Sequence, residues 1–485
     1  MSKSELKTVI MRSAPFSAAL SLLSNPYSLV PDDHVMDVRV VVEDASVRYA
    51  GGPGKQEMTG AAMVQSFCRA IAAAFANMPN LHTYVLLFDK KQYVPRQKGE
   101  TQTIRRSTLE ESAKRANVPA WSWDGLSNII AMTKPLPPWP RLRLDGKAYG
   151  KALRDLVELI MQNVVPPPRC RIIFDWSETP MILESDEHGR AMTPYADVSL
   201  ANTIGEADMA AQWYSQLGRC GGMSIPERPE THGIRQMDPE LQAKYYNSDK
   251  SAAPTQAALR AEYEAGDVVL MSIDTDYLPL SILHFTLHPA HNVWLAIGKC
   301  SVTPGPGAPV FCTKTTKDAI EKAEIYNIRR LCEIVQTLHA PETPLLDAVA
   351  SFVSFCTVCG NDYAKRPFGI THRIMMSAYK KAPIAAVWQR RDPQPPVISL
   401  SADAFRAFLL QCYWERLGTG NQPAGAKRLP PWETVASVVA TTYTDARAHM
   451  PSQADLTALV ESVCWAISYA CQGPHGWSAV QTITA

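Results

Sequence analysis

No apolar run in the 485 residues approaches the roughly 20 that a helix needs to cross a bilayer, which excludes an integral membrane protein of the helical kind. With the polar opening Met1 to Lys7, and the short stretch Ala14 to Leu23 followed by no clear cleavage site, a secretory leader is not expected. An excess of either charge is also lacking: 48 Lys and Arg against 47 Asp and Glu leave a net charge of +1. The chain is therefore not basic all over, and a nucleic-acid partner would have to meet a local basic surface. Its 11 cysteines form no regular framework, and a chain of this length needs no disulfide staples, so they read as free thiols in a reducing compartment. There is no Gly-x4-Gly-Lys-Ser/Thr segment, so ATP use is not indicated. Internal repeats, a sliding-clamp motif and a basic carboxyl-terminal tail are missing as well. These absences predict a soluble, intracellular protein.

What is present is ordinary globular composition, 46% hydrophobic and 20% charged. The length suits one large domain with insertions, or two or three smaller ones. Four apolar runs rich in Val, Ile and Leu, without alternation, read as buried strands of a parallel sheet: Val38 to Val42, Tyr84 to Phe88, Arg171 to Phe174 and Val268 to Ile273. A fifth is Val293 to Ile297. Ala61 to Ala76 suits an amphipathic helix, and strand, helix, strand is the signature of a crossover unit in an α/β fold. A second helix is expected over Lys147 to Val164, ended by Pro166-Pro-Pro168. Gly218 to Thr255, rich in Pro, Gly and Ser, reads as an insertion. After Pro393 the composition turns to Ala-rich helical segments, predicting a separate helical layer.

The apolar runs end in acids. Val38 to Val42 runs through Glu43 into Asp44, Tyr84 to Phe88 into Asp89, and Val268 to Ile273 into Asp274-Thr275-Asp276. Ligands of an open parallel sheet gather beyond the carboxyl ends of the strands, so three strands would deliver these aspartates to one edge. Asp274 and Asp276 point to the same side if the extended geometry persists that far. Clustered carboxylates repel, and hard divalent cations relieve the repulsion. Two such ions roughly 4 Å apart stabilise both the attacking and the leaving oxygens in phosphodiester cleavage. The competing reading is that an acid after a strand is a cap or a turn residue, and Asp175, after Arg171 to Phe174, is read that way. Glu206 and Asp208 precede a helix-like run from Met209. Residues two apart diverge by about 200° in a helix, so they share a site only if they straddle its start.

Other constellations carry less. His284, His288 and His291 have spacing that would suit zinc on a helix, but Pro289 interrupts them. Cys356-Thr-Val-Cys359 has no second cysteine pair at zinc-ribbon spacing, so buried thiols are expected. The tryptophans from Trp121 to Trp139 read as cap packing rather than a base-stacking platform.

In their order these motifs resemble the flap endonuclease family, which includes excision-repair and recombination nucleases and viral relatives. Asp44-Ala45-Ser46 resembles its first strand-end aspartate. Phe88-Asp89-Lys90, then Lys98-Gly99-Glu100 and Arg105-Arg106, resembles the second aspartate and the basic start of the helical arch. Gly205-Glu206-Ala207-Asp208 resembles the Glu-Ala-Glu segment, and Ser272-Ile-Asp274-Thr275-Asp276 the Asp-x-Asp strand end. Cys359-Gly-Asn-Asp362-Tyr363 with Phe368-Gly369-Ile370 resembles the Gly-Cys-Asp-Tyr segment and the helical hairpin after it. The resemblance runs from about Met11 to Ala382. The family's hairpin is commonly Gly-Ile-Gly, where this chain has Gly369-Ile370-Thr371.

The resemblance implies an α/β fold of PIN-like 5′ nuclease type, a mostly parallel central sheet flanked by helices, with an arch or cap and a helical layer after it. It implies nuclease regions over 1–110 and 170–340, an arch or cap over 111–169, an insertion near 218–255, a hairpin region over 341–392 and an extension over 393–485. Asp44, Asp89, Glu206 and Asp208 would belong to a first site for Mg²⁺ or Mn²⁺, and Asp274, Asp276 and Asp362 to a second. Lys98 and Arg105 would act on the scissile phosphate, and Arg106, Gly369, Ile370 and Thr371 would contact the nucleic acid. The expected activity is structure-selective endonuclease or 5′ exonuclease cleavage of DNA with single-strand/duplex junctions. The same core could serve a host-shutoff type of RNA endonuclease, or a catalytically silent interaction protein. A repair-type enzyme would be nuclear, and the other readings allow the cytoplasm.

Overall fold

Four valines, Val38, Val40, Val41 and Val42, stiffen the chain and favour an extended backbone, and the computed structural model has β1 at Val38–Asp44. The structure describes residues 37–48, 59–90, 129–131, 146–197, 200–202, 204–216, 266–274, 276–287, 293–298, 300–303, 310–315, 320–322, 324–359, 369–391, 394–422, 428–445 and 448–470, with isolated positions between 107 and 142 and at 367. After β1 come α1 (Gly60–Asn77), β2 (Thr83–Leu87), α2 (Gly146–Asn163), β3 (Arg171–Asp175), β4 (Met181–Glu184), β5 (Tyr195–Ala196), α3 (Ala207–Gln216), β6 (Asp267–Ser272), α4 (Tyr277–Leu287), β7 (Val293–Ile297), β8 (Ser301–Thr303), β9 (Val310–Thr315), β10 (Ile320–Lys322) and β11 (Glu324–Asn327). Then follow α5 (Ile328–Gln336), α6 (Leu345–Val358), α7 (His372–Lys381), β12 (Ala386–Arg391), β13 (Gln394–Leu400), α8 (Ala402–Asn421), α9 (Trp432–Thr442) and α10 (Gln453–Ala470). None of the helices among the described residues is long and apolar enough to cross a membrane.

The chain divides into two units, one of Val30–Asp274 with Ala290–Asn327, the other of Met1–Leu29, Thr275–Pro289 and Ile328–Ala485. The first holds an eight-stranded sheet in the order β11-β7-β6-β1-β2-β3-β4-β5. Its centre, β7-β6-β1-β2-β3, is parallel, and β11, β4 and β5 add antiparallel margins. The expected mixed α/β architecture, a mostly parallel central sheet flanked by helices, is what the structure has.

β2, β6 and β7 are buried along their whole length, as parallel strands covered on both faces must be. Thr59 caps α1 by accepting a hydrogen bond from the Ala62 N–H at 3.2 Å, and the helix buries Met63, Val64, Phe67, Ile71 and Ala74 at helical spacing. Those residues pack with Leu153, Leu156 and Ile160 of α2 and with Val41, Tyr84, Leu86, Val269 and Met271 of the sheet. Strand side chains alternate, so this cluster claims one face of β1, β2 and β6. The opposite face carries Val42, Asp44, Leu87, Leu270 and Ser272. α3 packs against β1, β2 and β6.

The second unit centres on α6, which is buried all round from Ala348 to Val358, as a helix apolar on every side should be. α4 and α5 pack on it, as do the β12–β13 hairpin and α10. The helical composition expected from Pro393 onward starts later than the sequence suggested. Gln394–Leu400 is a strand, antiparallel to β12, even though it contains Pro395 and Pro396. A two-stranded ribbon has only edges, and an edge is where a strand accepts proline.

Candidate functional site

β1, β2 and β3 follow one another in one direction across the sheet, whereas β6 and β7 lie on the other side of β1. The strand order therefore reverses between β1 and β6. A doubly wound sheet opens a crevice at the carboxyl ends of the strands at such a point. Asp44 is the last residue of β1 and pairs with Leu87. On its other side Glu43 pairs with Met271, which sets Ser272 opposite Asp44. The ladder runs on through Phe88, whose N–H donates to the Asp175 carbonyl at 3.0 Å, and Asp89 comes next. Asp89 thus follows the partner of Asp44 on β2 by two residues, and Asp274 follows Ser272 on β6 by two.

Hydrogen bonds tie these acids into two groups. The Asp44 carboxylate accepts from the Ser46 N–H at 2.8 Å, capping the single 3-10 turn Ala45–Val47, and from the Ser272 hydroxyl at 3.4 Å. The same Ser272 oxygen accepts from the Asp274 N–H at 3.0 Å. In the second group the Asp89 carboxylate accepts from the N–H of Ala207, the first residue of α3, at 3.3 Å. Glu206 lies buried just before that helix and Asp208 sits in its first turn, so the two straddle the helix start. The positive end of the helix dipole favours acids there. Asp44, Asp89, Asp208 and Asp274 are half-buried.

Other predicted residues fall elsewhere. The extended geometry that would have turned Asp274 and Asp276 to one side does not persist. β6 stops at Ser272, and the Asp276 carbonyl already accepts the first hydrogen bond of α4, from Leu280 at 3.4 Å. Asp276 belongs to the second unit, where its charge acts on Cys356. Lys98, Arg105, Arg106 and Asp362 lie outside the described residues. Gly369 takes a φ of 73°, which favours glycine, and it lies against the Arg416 guanidinium. Ile370 is buried, and the Thr371 hydroxyl caps α7 through the Ile374 N–H at 3.4 Å. His284 is buried in α4, while His288 and His291 lie outside the described residues. Cys356 and Cys359 are buried free thiols, and burial pushes the Cys356 thiol well above its ordinary range. Among the described residues no group of three or more His, Cys, Asp or Glu is gathered as a metal shell.

Two buried charge networks at the same strand ends escaped the sequence reading. Lys90 is fully buried and ion-paired with Asp175 at 2.5 Å, and its ammonium also donates to the Asn202 side chain at 2.6 Å. Burial pushes Lys90 down from its ordinary value and Asp175 up from its own, each partly held back by the other. Glu43 is buried beside Asp44 in the chain and takes two hydrogen bonds from Arg48, at 2.6 and 2.7 Å, and one from the Tyr84 hydroxyl. Burial lowers the Arg48 pKa, but Glu43 and Tyr84 outweigh that and raise it further. Neither pairing follows from neighbours in the sequence alone, since Asp175 meets Lys90 from a distant strand and Glu43 meets Arg48 across a turn. Asp175, expected as a turn residue, is half of an ion pair.

No protein-family model and no curated protein matches the chain. What the strand ends can hold therefore rests on their chemistry. The donors brought there are carboxylate oxygens and the Ser272 hydroxyl, the hard oxygen set that Mg²⁺ and Mn²⁺ prefer. Lys90 and Arg48 are engaged by Asp175 and Glu43. By type these oxygens suit a hard divalent cation, although the described residues do not gather three or more of them as a metal shell.

Proposed function

We propose that this chain is a metal-dependent nuclease of the flap endonuclease kind, hydrolysing phosphodiester bonds with divalent ions held at the carboxyl ends of β1, β2 and β6. One observation carries the reading: Asp44 ends β1, and Asp89 and Asp274 each follow the end of a neighbouring parallel strand by two residues, around the point where strand order reverses, with α3 packed on the same three strands. A PIN-like 5′ nuclease fold, with an arch starting near Lys98, goes with it.

In this reading Asp44 and Asp274 hold one side of the site and Ser272 orients both through its hydroxyl. Asp89 holds the other side, and the start of α3 brings Glu206 and Asp208 to it. Mg²⁺ or Mn²⁺, when bound, supplies charge stabilisation at the phosphate and makes water a nucleophile near neutral pH. Lys98, Arg105 and Arg106, carried over from the family resemblance, would meet the scissile phosphate and the nucleic-acid backbone.

The test uses the full chain with Mg²⁺ on a 5′-flap DNA and a structured messenger RNA in parallel. Cleavage of either is expected, and the substrate that is cut decides between the DNA and RNA forms of the proposal. Asp274→Ala should lower cleavage by more than about 100-fold, beyond what losing an orienting partner of a metal ligand costs, with fold and substrate binding retained. An Asp274→Ala protein as active as the unaltered one would end the reading.

A further inference from the structure

Lys90 follows Asp89 in the chain, and its ammonium is enclosed at the base of the strand ends. An ammonium has three protons, and the structure offers three acceptors: the Asp175 carboxylate at 2.5 Å, the Asn202 side-chain oxygen at 2.6 Å and the Asn202 carbonyl at 3.4 Å. The Asn202 amide donates back to Asp175 at 3.3 Å, and its side-chain oxygen also accepts from the Ile204 N–H at 3.2 Å. The Lys90 N–H donates to the Gly205 carbonyl at 2.7 Å. Asp175 ends β3, and the remaining partners, Asn202, Ile204 and Gly205, lie on the irregular stretch just before α3.

That stretch has no strand ladder to hold it, yet it must deliver Glu206 and the first N–H of α3 to Asp89. A buried ion pair contributes little net stability, because removing both charges from water offsets most of their attraction. What a fully satisfied pair does provide is a unique arrangement of the groups around it. We infer that Lys90 is the positioning residue of the carboxylate edge: through Asp175 and Asn202 it clamps the 202–206 segment to the ends of β2 and β3, so that Asp89, Glu206 and Asp208 are presented together. This rests on the nuclease reading for its functional meaning, and on the hydrogen bonds above for the clamp itself.

The test compares the full-length chain with Lys90→Met/Asp175→Asn, which removes both charges and strands neither. Two measurements are made: amide hydrogen exchange over 200–210, and the Mn²⁺ concentration that gives half-maximal cleavage. Exchange there should speed up by about tenfold or more, with β1 and β2 unchanged. The Mn²⁺ midpoint should rise by about 10- to 100-fold, the usual effect of losing a partner that orients a ligand. A merely structural role would not shift the metal midpoint in a protein that melts at the normal temperature. If the double variant does not fold, Asn202→Ala keeps the ion pair, cuts one arm of the clamp and should move both readouts in the same direction. Unchanged exchange over 200–210, or faster exchange with an unmoved Mn²⁺ midpoint, overturns the inference. Should the unaltered chain cut neither substrate, the nuclease reading falls and the exchange comparison still decides the clamp.

Discussion

The Ser272 hydroxyl donates to the Asp44 carboxylate at 3.4 Å across the point where the sheet reverses its strand order. It also accepts from the Asp274 N–H at 3.0 Å, so one small side chain joins the ends of β1 and β6. Ser272 is completely buried and carries no charge of its own.

Ser272→Ala therefore separates orientation from ligation. It removes the link and leaves every carboxylate in place. Affinity for Mn²⁺, read by calorimetric titration, should fall by about 10- to 100-fold, as it does when the hydrogen-bonding partner of a metal ligand is lost. The melting temperature should move by only a few degrees. Unchanged affinity would mean that Asp44 and Asp274 do not act together.

Arg48 and Glu43 make a second buried pair, beside Asp44 in the chain and on the opposite face of the sheet, with side chains 10% and 1% exposed. Arg48→Met strands the Glu43 carboxylate in the core, which should cost about 3–5 kcal/mol of stability. Pairing it with Glu43→Gln removes the stranded charge and should recover most of that loss. Urea unfolding of the two proteins measures the difference. Equal stability of the single and double variants would show that Glu43 finds another partner.

His339 governs an acid-side effect in the second unit. Its Nε2 lies 2.9 Å from the Tyr379 hydroxyl, which in turn lies 2.9 Å from that of Ser351. Burial lowers the His339 pKa below its ordinary 6.5. The unfolded chain thus takes up the proton first as pH falls. The stability that neutral His339 contributes is present above about pH 6.5 and is lost as pH drops through the folded-state pKa. Melting curves between pH 7.5 and 5.5 should show a decline that His339→Gln reduces. An identical decline in the variant would assign it to other groups.

Much of the central sheet was legible because its physics is local. Val38 to Val42, Tyr84 to Phe88 and Val293 to Ile297 are apolar without alternation, and a strand covered on both faces requires that. The boundaries came within a residue or two of those observed: α1 is Gly60–Asn77 against an expected Ala61 to Ala76. β5, β8 and β10 were not legible, since strands of two or three residues leave no period to detect. β13 was hidden by Pro395 and Pro396, which read as a break although an edge tolerates them.

Strand-end position in the sequence predicted that Asp44, Asp89 and Asp274 lie at or just past the ends of β1, β2 and β6, and the structure has them there. That position misled at Asp276, because chain direction after a strand depends on where the next helix starts, and α4 begins at Tyr277. Lys90 and Arg48 were beyond reach for another reason. Each finds a carboxylate distant along the chain or across a turn, and only the register of β1, β2 and β3 makes those pairings visible.

The most direct measurement of the central claim is anomalous scattering from a crystal of the full chain soaked in Mn²⁺. One or two manganese peaks are expected beyond the ends of β1, β2 and β6, ligated by oxygens of Asp44, Asp89 and Asp274. A pair of ions would stand roughly 4 Å apart. Manganese bound only at surfaces away from these three aspartates, or none bound at all, would contradict that claim.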